Sequence, residues 1–186
     1  MIAGVDEAGR GPLAGPVMAA AVVLEQEQKD ELVRAGLTDS KKLSPRRREK
    51  LFCQMVEMGV LWKAQAASHS RIDRMNILQA SLWAMSRSVK ALDGHFTRVI
   101  VDGTCLIPGL DHEQEALPRA DLNVPEVAAA SIFAKVLRDR AMIVMDRVYP
   151  GYGFAGHKGY PTKAHFSALQ ELGPCPIHRR SFNLHC

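Results

Sequence analysis

Apolar residues along this chain fall into two patterns: short continuous runs and longer stripes at helical spacing. Ile2 to Asp6 and Pro16 to Leu24 are of the first kind, separated by the turn-rich stretch Glu7-Ala8-Gly9-Arg10-Gly11-Pro12. Runs of this length bounded by turn residues read as strands, here neighbours in one sheet. Val60 to Ala67 and Arg98 to Asp102 add two more, the second built on Val99-Ile100-Val101. Helical spacing accounts for most of the rest. Ser44 before Pro45 supplies an N-cap and a proline at the first helical position, which predicts a helix running through Met58. Ser70 predicts the cap of one long helix striped by Met75, Leu78, Leu82, Met85, Val89 and Leu92, whose three- and four-residue spacing lies on one face. Pro125 marks a further helix start, and Val127 to about Val148 reads as helix, with Ala128-Ala129-Ala130 permitting close backbone packing. The chain is turn-rich from Tyr149 to Pro161, then helical from Lys163 to Leu172, and ends in a basic tail. There is no internal repeat and no low-complexity linker. The expectation is a single α/β domain over residues 1–186, a mixed central sheet flanked by helices with a mainly helical C-terminal portion.

Composition narrows the class without naming a function. With 47% hydrophobic and 24% charged residues, the chain has the make-up of an ordinary soluble globular protein. Val17 to Leu24 is the longest wholly apolar run, far too short to span a bilayer, and Met1-Ile2-Ala3-Gly4 is not a signal peptide. Cys53, Cys105, Cys175 and Cys186 form no Cys-x-x-Cys pair, which points to a reduced, cytoplasmic setting. A net charge of +4 is compatible with a polyanionic partner but does not require one.

The chemistry lies in the acids. Two apolar strands end on a carboxylate, Val5 on Asp6 and Val101 on Asp102, and strand ends are where α/β sheets build their sites. Adjacent strand residues point to opposite faces, so Asp6 and Glu7 converge only if the chain leaves strand geometry at Glu7, a departure Gly9 permits. Asp121, shortly before Pro125, can project from the same end. Taken singly, such acids are commonly solvated, or cap a helix. Clustered, two carboxylates about 4 Å apart repel by roughly 4 kcal/mol at an effective dielectric near 20, so the group takes up protons or cations. Hard oxygen donors select Mg2+ or Mn2+, and two such ions support phosphodiester cleavage.

The order and wording of the motifs add a resemblance. Asp6-Glu7-Ala8-Gly9-Arg10-Gly11-Pro12-Leu13-Ala14-Gly15-Pro16, Asp39-Ser40-Lys41-Lys42-Leu43-Ser44, Ile72-Asp73-x-x-Asn76-Ile77, Val101-Asp102-Gly103, Ala128-Ala129-Ala130-Ser131-Ile132-x-Ala134-Lys135 and His157-Lys158-Gly159-Tyr160-Pro161-Thr162 span nearly the whole chain. In wording and order they closely resemble ribonuclease HII. That resemblance implies a ribonuclease H-like fold and one catalytic domain, with residues from about 150 to 186 contacting substrate. It also implies a catalytic and metal-binding set of Asp6, Glu7, Asp102 and Asp121, with Mn2+ or Mg2+, two ions during catalysis. The implied substrates are RNA–DNA hybrids and duplex DNA carrying single ribonucleotides, nicked on the 5′ side to leave 3′-hydroxyl and 5′-phosphate ends. The implied roles are ribonucleotide removal from DNA and primer removal, by a monomer without membrane attachment. Gly9-Arg10-Gly11 and Tyr160 are implied to read the ribonucleotide junction. Two departures stand out. Asp121 sits in Arg119-Ala120-Asp121, where relatives commonly carry a glycine before the aspartate, and Asp139 in Arg138-Asp139-Arg140 is the rival fourth acid, read as structural. Asn183-Leu184 stands where relatives often have a proline-containing tail, so a sliding-clamp docking peptide is not inferable. Five residues before Asp6 leave no room for the extra N-terminal domain of the ribonuclease HIII branch.

Substrate contacts follow from chemistry as well as resemblance. A glycine backbone can approach a sugar closely, and the 2′-hydroxyl is what distinguishes RNA from DNA. Tyr160, on a loop between Gly159 and Pro161, can stack on a sugar or base. Lys41, Lys42, Arg46, His157, Lys158 and Lys163 can line a phosphate path, although charged surface is the ordinary reading of such residues. Gly9, Gly11 and Gly15 also resemble a dinucleotide loop, but that motif must open a helix, and a strand follows here. The alternatives are therefore a nucleotide-binding oxidoreductase, disfavoured for that reason, and a non-catalytic nucleic-acid-binding module, in which clustered acids would repel phosphate. Cys175, His178, His185 and Cys186 match no common zinc spacing.

Overall fold

The computed structural model describes residues 1–185, with a five-stranded sheet at its centre. Strands β1 (Ile2–Ala8), β2 (Val17–Val23), β3 (Leu61–Ala67), β4 (Arg98–Asp102) and β5 (Glu113–Leu117) lie in the order β3-β2-β1-β4-β5. β1 pairs antiparallel with β2 and parallel with β4, so the sheet is mixed, as expected. The helices are α1 (Gln26–Arg34), α2 (Pro45–Glu57), α3 (His69–Met75), α4 (Ile77–Lys90), α5 (Pro125–Val148), α6 (Phe154–His157) and α7 (Lys163–Leu172). None of the described helices is long and apolar enough to cross a membrane.

Two apolar layers sandwich the sheet. On one face, Ala3, Val5, Ala19, Ala21, Val99 and Val101 pack against Ala84, Met85 and Val89 of α4. On the other, Ala20 and Val22 meet Leu51 and Met55 of α2 and Ala129, Ala130 and Phe133 of α5. The alanine run does what its size allows. A Cβ at Gly4 of β1 would lie 2.3 Å from the α5 backbone at Glu126 and Val127, so strand and helix cross with no side chain between them. Lys29 of α1 reaches buried Glu126 at 2.7 Å and anchors α1 to α5.

Neither α1 nor α6 is expected from the pattern, and three further elements differ from its reading. The helix expected from Ser70 is two helices: Ser68 caps α3 and Asn76 caps α4, its side chain accepting from the Gln79 N–H at 3.0 Å. Asn76 sits at φ 70, where asparagine is tolerated and most residues are not, so the chain bends there. β5 escapes notice because Glu113-Gln114-Glu115 shows no apolar run; it is an edge strand whose acids pair with Arg98 on β4. Finally, β1 does not stop at Asp6 but stays extended through Ala8.

Candidate active site

Sheet register places the first two acids. β1 and β4 run parallel with Val5 beside Val101, so Asp6, where β1 continues past its pairing with β4, and Asp102, the last residue of β4, follow one residue further on. Val5 and Val101 occupy the α4 face, so by strand alternation Asp6 and Asp102 share the α5 face. Asp121 joins them from a short 3-10 turn, Ala120–Leu122, entered through Arg119 in the left-handed region at φ 60. One carboxylate oxygen from each of Asp6, Asp102 and Asp121 lies within 4.8 Å of the other two. The turn is pinned to the strand, because the Ala120 N–H donates to Asp102 Oδ1 at 2.8 Å. Position 120 serves through its backbone N–H, which alanine retains in place of the glycine common at that point.

Glu7 does not join the three by the route its neighbour suggested. Since β1 continues through it, its side chain leaves on the α4 face, into a cavity of about 230 Å³ lined also by Arg10, Leu82, Met85, Asp102 and Thr104. Arg10 holds it at 3.4 Å. Glu7 and Asp102 nevertheless feel each other: burial raises the Glu7 pKa, Arg10 opposes it, and the Asp102 charge adds a smaller push upward.

Electrostatics show a cluster short of positive charge. Burial first, then Glu7 and Asp102, raise Asp6 well above the usual carboxylate range, with a Ser131 hydrogen bond opposing. Asp121 is pushed up to about 6 by burial, then by Asp102 and Asp39. Lys41 answers from the 3-10 turn Ser40–Lys42: burial alone would lower its pKa, but Asp6, Asp121, Asp39 and Asp102 together raise it. The Asp39-Ser40-Lys41 motif is thus part of the site. Ser40 Oγ meets Ser131 Oγ at 2.8 Å, which ties this turn to α5, and the Asp6 carboxylate accepts from the Glu7 N–H at 2.7 Å. Sequence reasoning places Asp39, Ser40 and Ser131 within motifs but gives them no role, although a serine inside the buried run Ala128–Ala134 was the available signal.

The other expected residues divide. Gly9-Arg10-Gly11 continues directly from Glu7, with Gly9 at φ +101 and buried, while Arg10 and Gly11 are exposed. A Cβ at Gly11 would approach nothing but the Tyr160 ring, 3.8 Å away, so the two flank one open surface. Tyr160 is exposed on its loop, with Lys135 and Arg138 each 5.7 Å from the ring centroid. Lys158 and Tyr160 also border a groove of about 580 Å³ with Arg46, Lys135 and Arg140. Lys42 and Lys163 are exposed. His157 is committed internally, its Nε2 to the Tyr152 carbonyl at 2.8 Å and its Nδ1 accepting from the Gly159 N–H at 3.1 Å, so it shapes the loop instead of offering a donor to phosphate. Asp139 is held by Lys135 at 2.8 Å and faces that groove, away from the three acids.

His178 is no free metal ligand either. Its Nδ1 accepts from the Cys175 N–H at 2.9 Å and its Nε2 meets His165 Nε2 at 3.0 Å, while Cys186 lies outside the described residues.

Comparison with known proteins bears on the family and the fold. The family model described as ribonuclease HII matches residues 3–185. Ribonuclease HII of Coxiella burnetii strain Dugway 5J108-111 is 49% identical over 182 residues, covering 98% of this chain and 88% of that protein. Among solved structures, the ribonuclease HII of Archaeoglobus fulgidus in its complex with PCNA superposes with a TM-score of 0.84 at 28% identity, covering 100% of this chain and 97% of that one. Bst-RNase HIII in complex with Mn2+ shares the fold, with a TM-score of 0.76 at 18% identity over 98% of this chain and 67% of that one. Carboxylates gathered at the ends of a parallel strand pair and a match along almost the full chain lead to one assignment: this chain belongs to the ribonuclease HII family and is a ribonuclease.

Proposed function

We propose that this enzyme hydrolyses the RNA strand of RNA–DNA hybrids and nicks duplex DNA on the 5′ side of a lone ribonucleotide, leaving 3′-hydroxyl and 5′-phosphate ends. The observation that carries the reading is the meeting of Asp6, Asp102 and Asp121, from three separate segments, within 4.8 Å. Buried carboxylates that raise one another's pKa are a donor set in want of cations, and their hard oxygens suit Mn2+ or Mg2+. When bound, a pair of such ions supplies an activated water and stabilises the leaving oxygen. The chain's own residues do the rest. Asp6 and Asp102 face one side of the sheet, and the Glu7 and Ala120 N–H groups fix their orientation. Glu7, longer by one methylene, completes the set from the opposite face by leaving Arg10, while Lys41 offsets the acids beside an incoming phosphate.

Specificity resides next door. Backbone donors at Arg10 and Gly11 meet the 2′-hydroxyl, and Tyr160 packs against the adjoining deoxyribose across the surface it shares with Gly11. Reading a single hydroxyl this way requires only one ribonucleotide. The test is digestion of an end-labelled DNA duplex containing one ribonucleotide, with both product ends mapped. A single nick 5′ of the ribonucleotide with a 3′-hydroxyl is the expected result; a 2′,3′-cyclic phosphate, or cutting elsewhere, refutes it.

A further inference from the structure

Two arginines that the site does not use, Arg138 of α5 and Arg179 near the C-terminus, are both fully buried. Among the described residues neither meets a carboxylate in an ion pair. Their partners are backbone carbonyls instead. Arg179 Nη2 donates to Gly9 at 2.6 Å, Nη1 to Arg10 at 2.9 Å and Nε to Gly15 at 3.0 Å. Arg138 Nε donates to Pro16 at 3.0 Å, and its Nη2 to Ala14 at 3.3 Å and Lys158 at 3.0 Å. Its Nη1 is buried with no partner. Five of these six carbonyls belong to the turn from Gly9 to Pro16, and the sixth lies two residues before Tyr160.

That arrangement fixes which way the peptides face. The described chain contains no cis peptide bonds, and in a trans peptide the N–H points opposite to the carbonyl. With the Gly9 and Arg10 carbonyls drawn inward by Arg179, the N–H groups of Arg10 and Gly11 point outward, and both residues are exposed. The glycine at position 9 has its reason here too. A Cβ there would lie 2.0 Å from Arg138 Nε, because a guanidinium occupies the space a side chain would fill.

We propose that Arg138 and Arg179 are positioning residues for ribonucleotide recognition: their guanidiniums hold the turn from Gly9 to Pro16 with its carbonyls inward and its Arg10 and Gly11 N–H groups toward the substrate. Stabilising the fold alone does not require two like charges side by side. Burial, and then the Arg138 charge, pull the Arg179 pKa down to about 9, so the pair is held at a cost. Two cations beneath this turn also give its outer surface a positive field, to which a phosphodiester is the natural complement. Arg179 spends all three nitrogens on three different carbonyls, a span that one ammonium does not reproduce.

This inference rests on the reading of the turn given above, and the test separates the two. Arg179→Lys and Arg138→Lys keep the charge and remove the fork. For wild type and both variants, Mn2+ affinity, thermal unfolding, and single-turnover cleavage of a lone-ribonucleotide duplex and of an RNA–DNA hybrid are measured. Retained Mn2+ affinity with a drop of about tenfold or more in kcat/KM on the lone-ribonucleotide duplex, carried mainly by KM, is expected. Guanidinium ion at tens of millimolar should restore part of that loss to Arg179→Ala, where sodium at equal ionic strength does not. Wild-type rates in both lysine variants, or losses that follow Mn2+ affinity and unfolding temperature alone, overturn the proposal. Should Arg179→Lys fail to fold, Arg138→Lys, which disturbs the contacts to Pro16, Ala14 and Lys158, carries the comparison. A wild-type enzyme that cuts the hybrid but not the lone ribonucleotide overturns the earlier reading, and the same comparison then runs on the hybrid.

Discussion

Replacing Asp102 by asparagine should make the metal-free protein more stable and the enzyme inactive. The amide keeps the shape and the acceptor: Asn Oδ1 can still take the Ala120 N–H that Asp102 accepts at 2.8 Å, so the turn carrying Asp121 stays in place. What disappears is a charge that raises the pKa of Asp6, Glu7 and Asp121. Carboxylate oxygens within 4.8 Å of each other repel by about 3 kcal/mol at an effective dielectric of 20. Asp102 is half-exposed, so solvent screening leaves about 1–2 kcal/mol of relief. For a chain this size that is a rise of roughly 2–8 °C in unfolding temperature. The assay is thermal unfolding followed by circular dichroism, in chelator and again in Mn2+, with single-turnover cleavage alongside. In chelator the variant should melt above wild type. Mn2+ should close or reverse the gap, because it stabilises the protein that binds it more tightly. Cleavage should fall by more than about 100-fold, beyond the usual effect of disturbing a residue that merely supports a ligand. A variant that melts below wild type in chelator refutes the electrostatic argument, and near-wild-type turnover refutes the assignment of Asp102.

Three further outcomes are expected. Asp121→Asn should abolish cleavage of every substrate while Asp139→Asn, which breaks only the contacts to Lys135 and Arg48, leaves most of it; equal losses in a side-by-side rate measurement would show the fourth acid misassigned. Tyr160→Ala should slow cleavage of the lone-ribonucleotide duplex more than that of a long hybrid, and wild-type rates on both would remove Tyr160 from junction reading. Burial, partly offset by the bond to the Tyr160 carbonyl, pulls the His165 pKa down to about 4 from an unfolded value near 6.5. Between those values the unfolded chain binds the extra proton, so up to about 3 kcal/mol of stability is present above pH 6.5 and lost as pH falls toward 4. Urea unfolding across that range should show a shallower slope for His165→Asn than for wild type, and identical slopes would contradict the sign.

How much of this was legible depended on whether a pattern is local. Val99-Ile100-Val101 announces a strand, and the acid after it is visible at once. The parallel register that sets Asp6 beside Asp102 is a property of two segments 96 residues apart, and no spacing in either one encodes it. Asn76 hid a helix break because the apolar residues on either side of it, Met75 and Leu78, keep helical spacing along the sequence. β5 was invisible for a different reason, its alternation being of acids that Arg98 satisfies. The rule that adjacent strand residues oppose one another was right. The exit from strand geometry that it was made to require at Glu7 does not occur. Arg138, beside Asp139 on a helix, and Arg179, in the basic tail, drew no role from the sequence, because nothing local to either marks it as buried.

The two charge clusters explain each other through the segment between them. From Asp6 to Pro16 the chain passes from an acidic centre to a turn seated on two buried cations, and one substrate must satisfy both ends. A polyanion alone is repelled at Asp6, Asp102 and Asp121 until metal compensates them, which makes metal and nucleic acid mutually supporting ligands of this site. The same polyanion is attracted by the turn, but attraction to charge does not tell RNA from DNA. Discrimination needs donors held at a fixed place, so that the missing hydroxyl of a deoxyribose leaves them unpaired. The buried arginines are proposed to supply that rigidity: with five inward carbonyls already bonded, the turn has no cheap way to rotate its peptides. If both proposals hold, the acids decide whether a phosphodiester is cut, and the arginines decide which one.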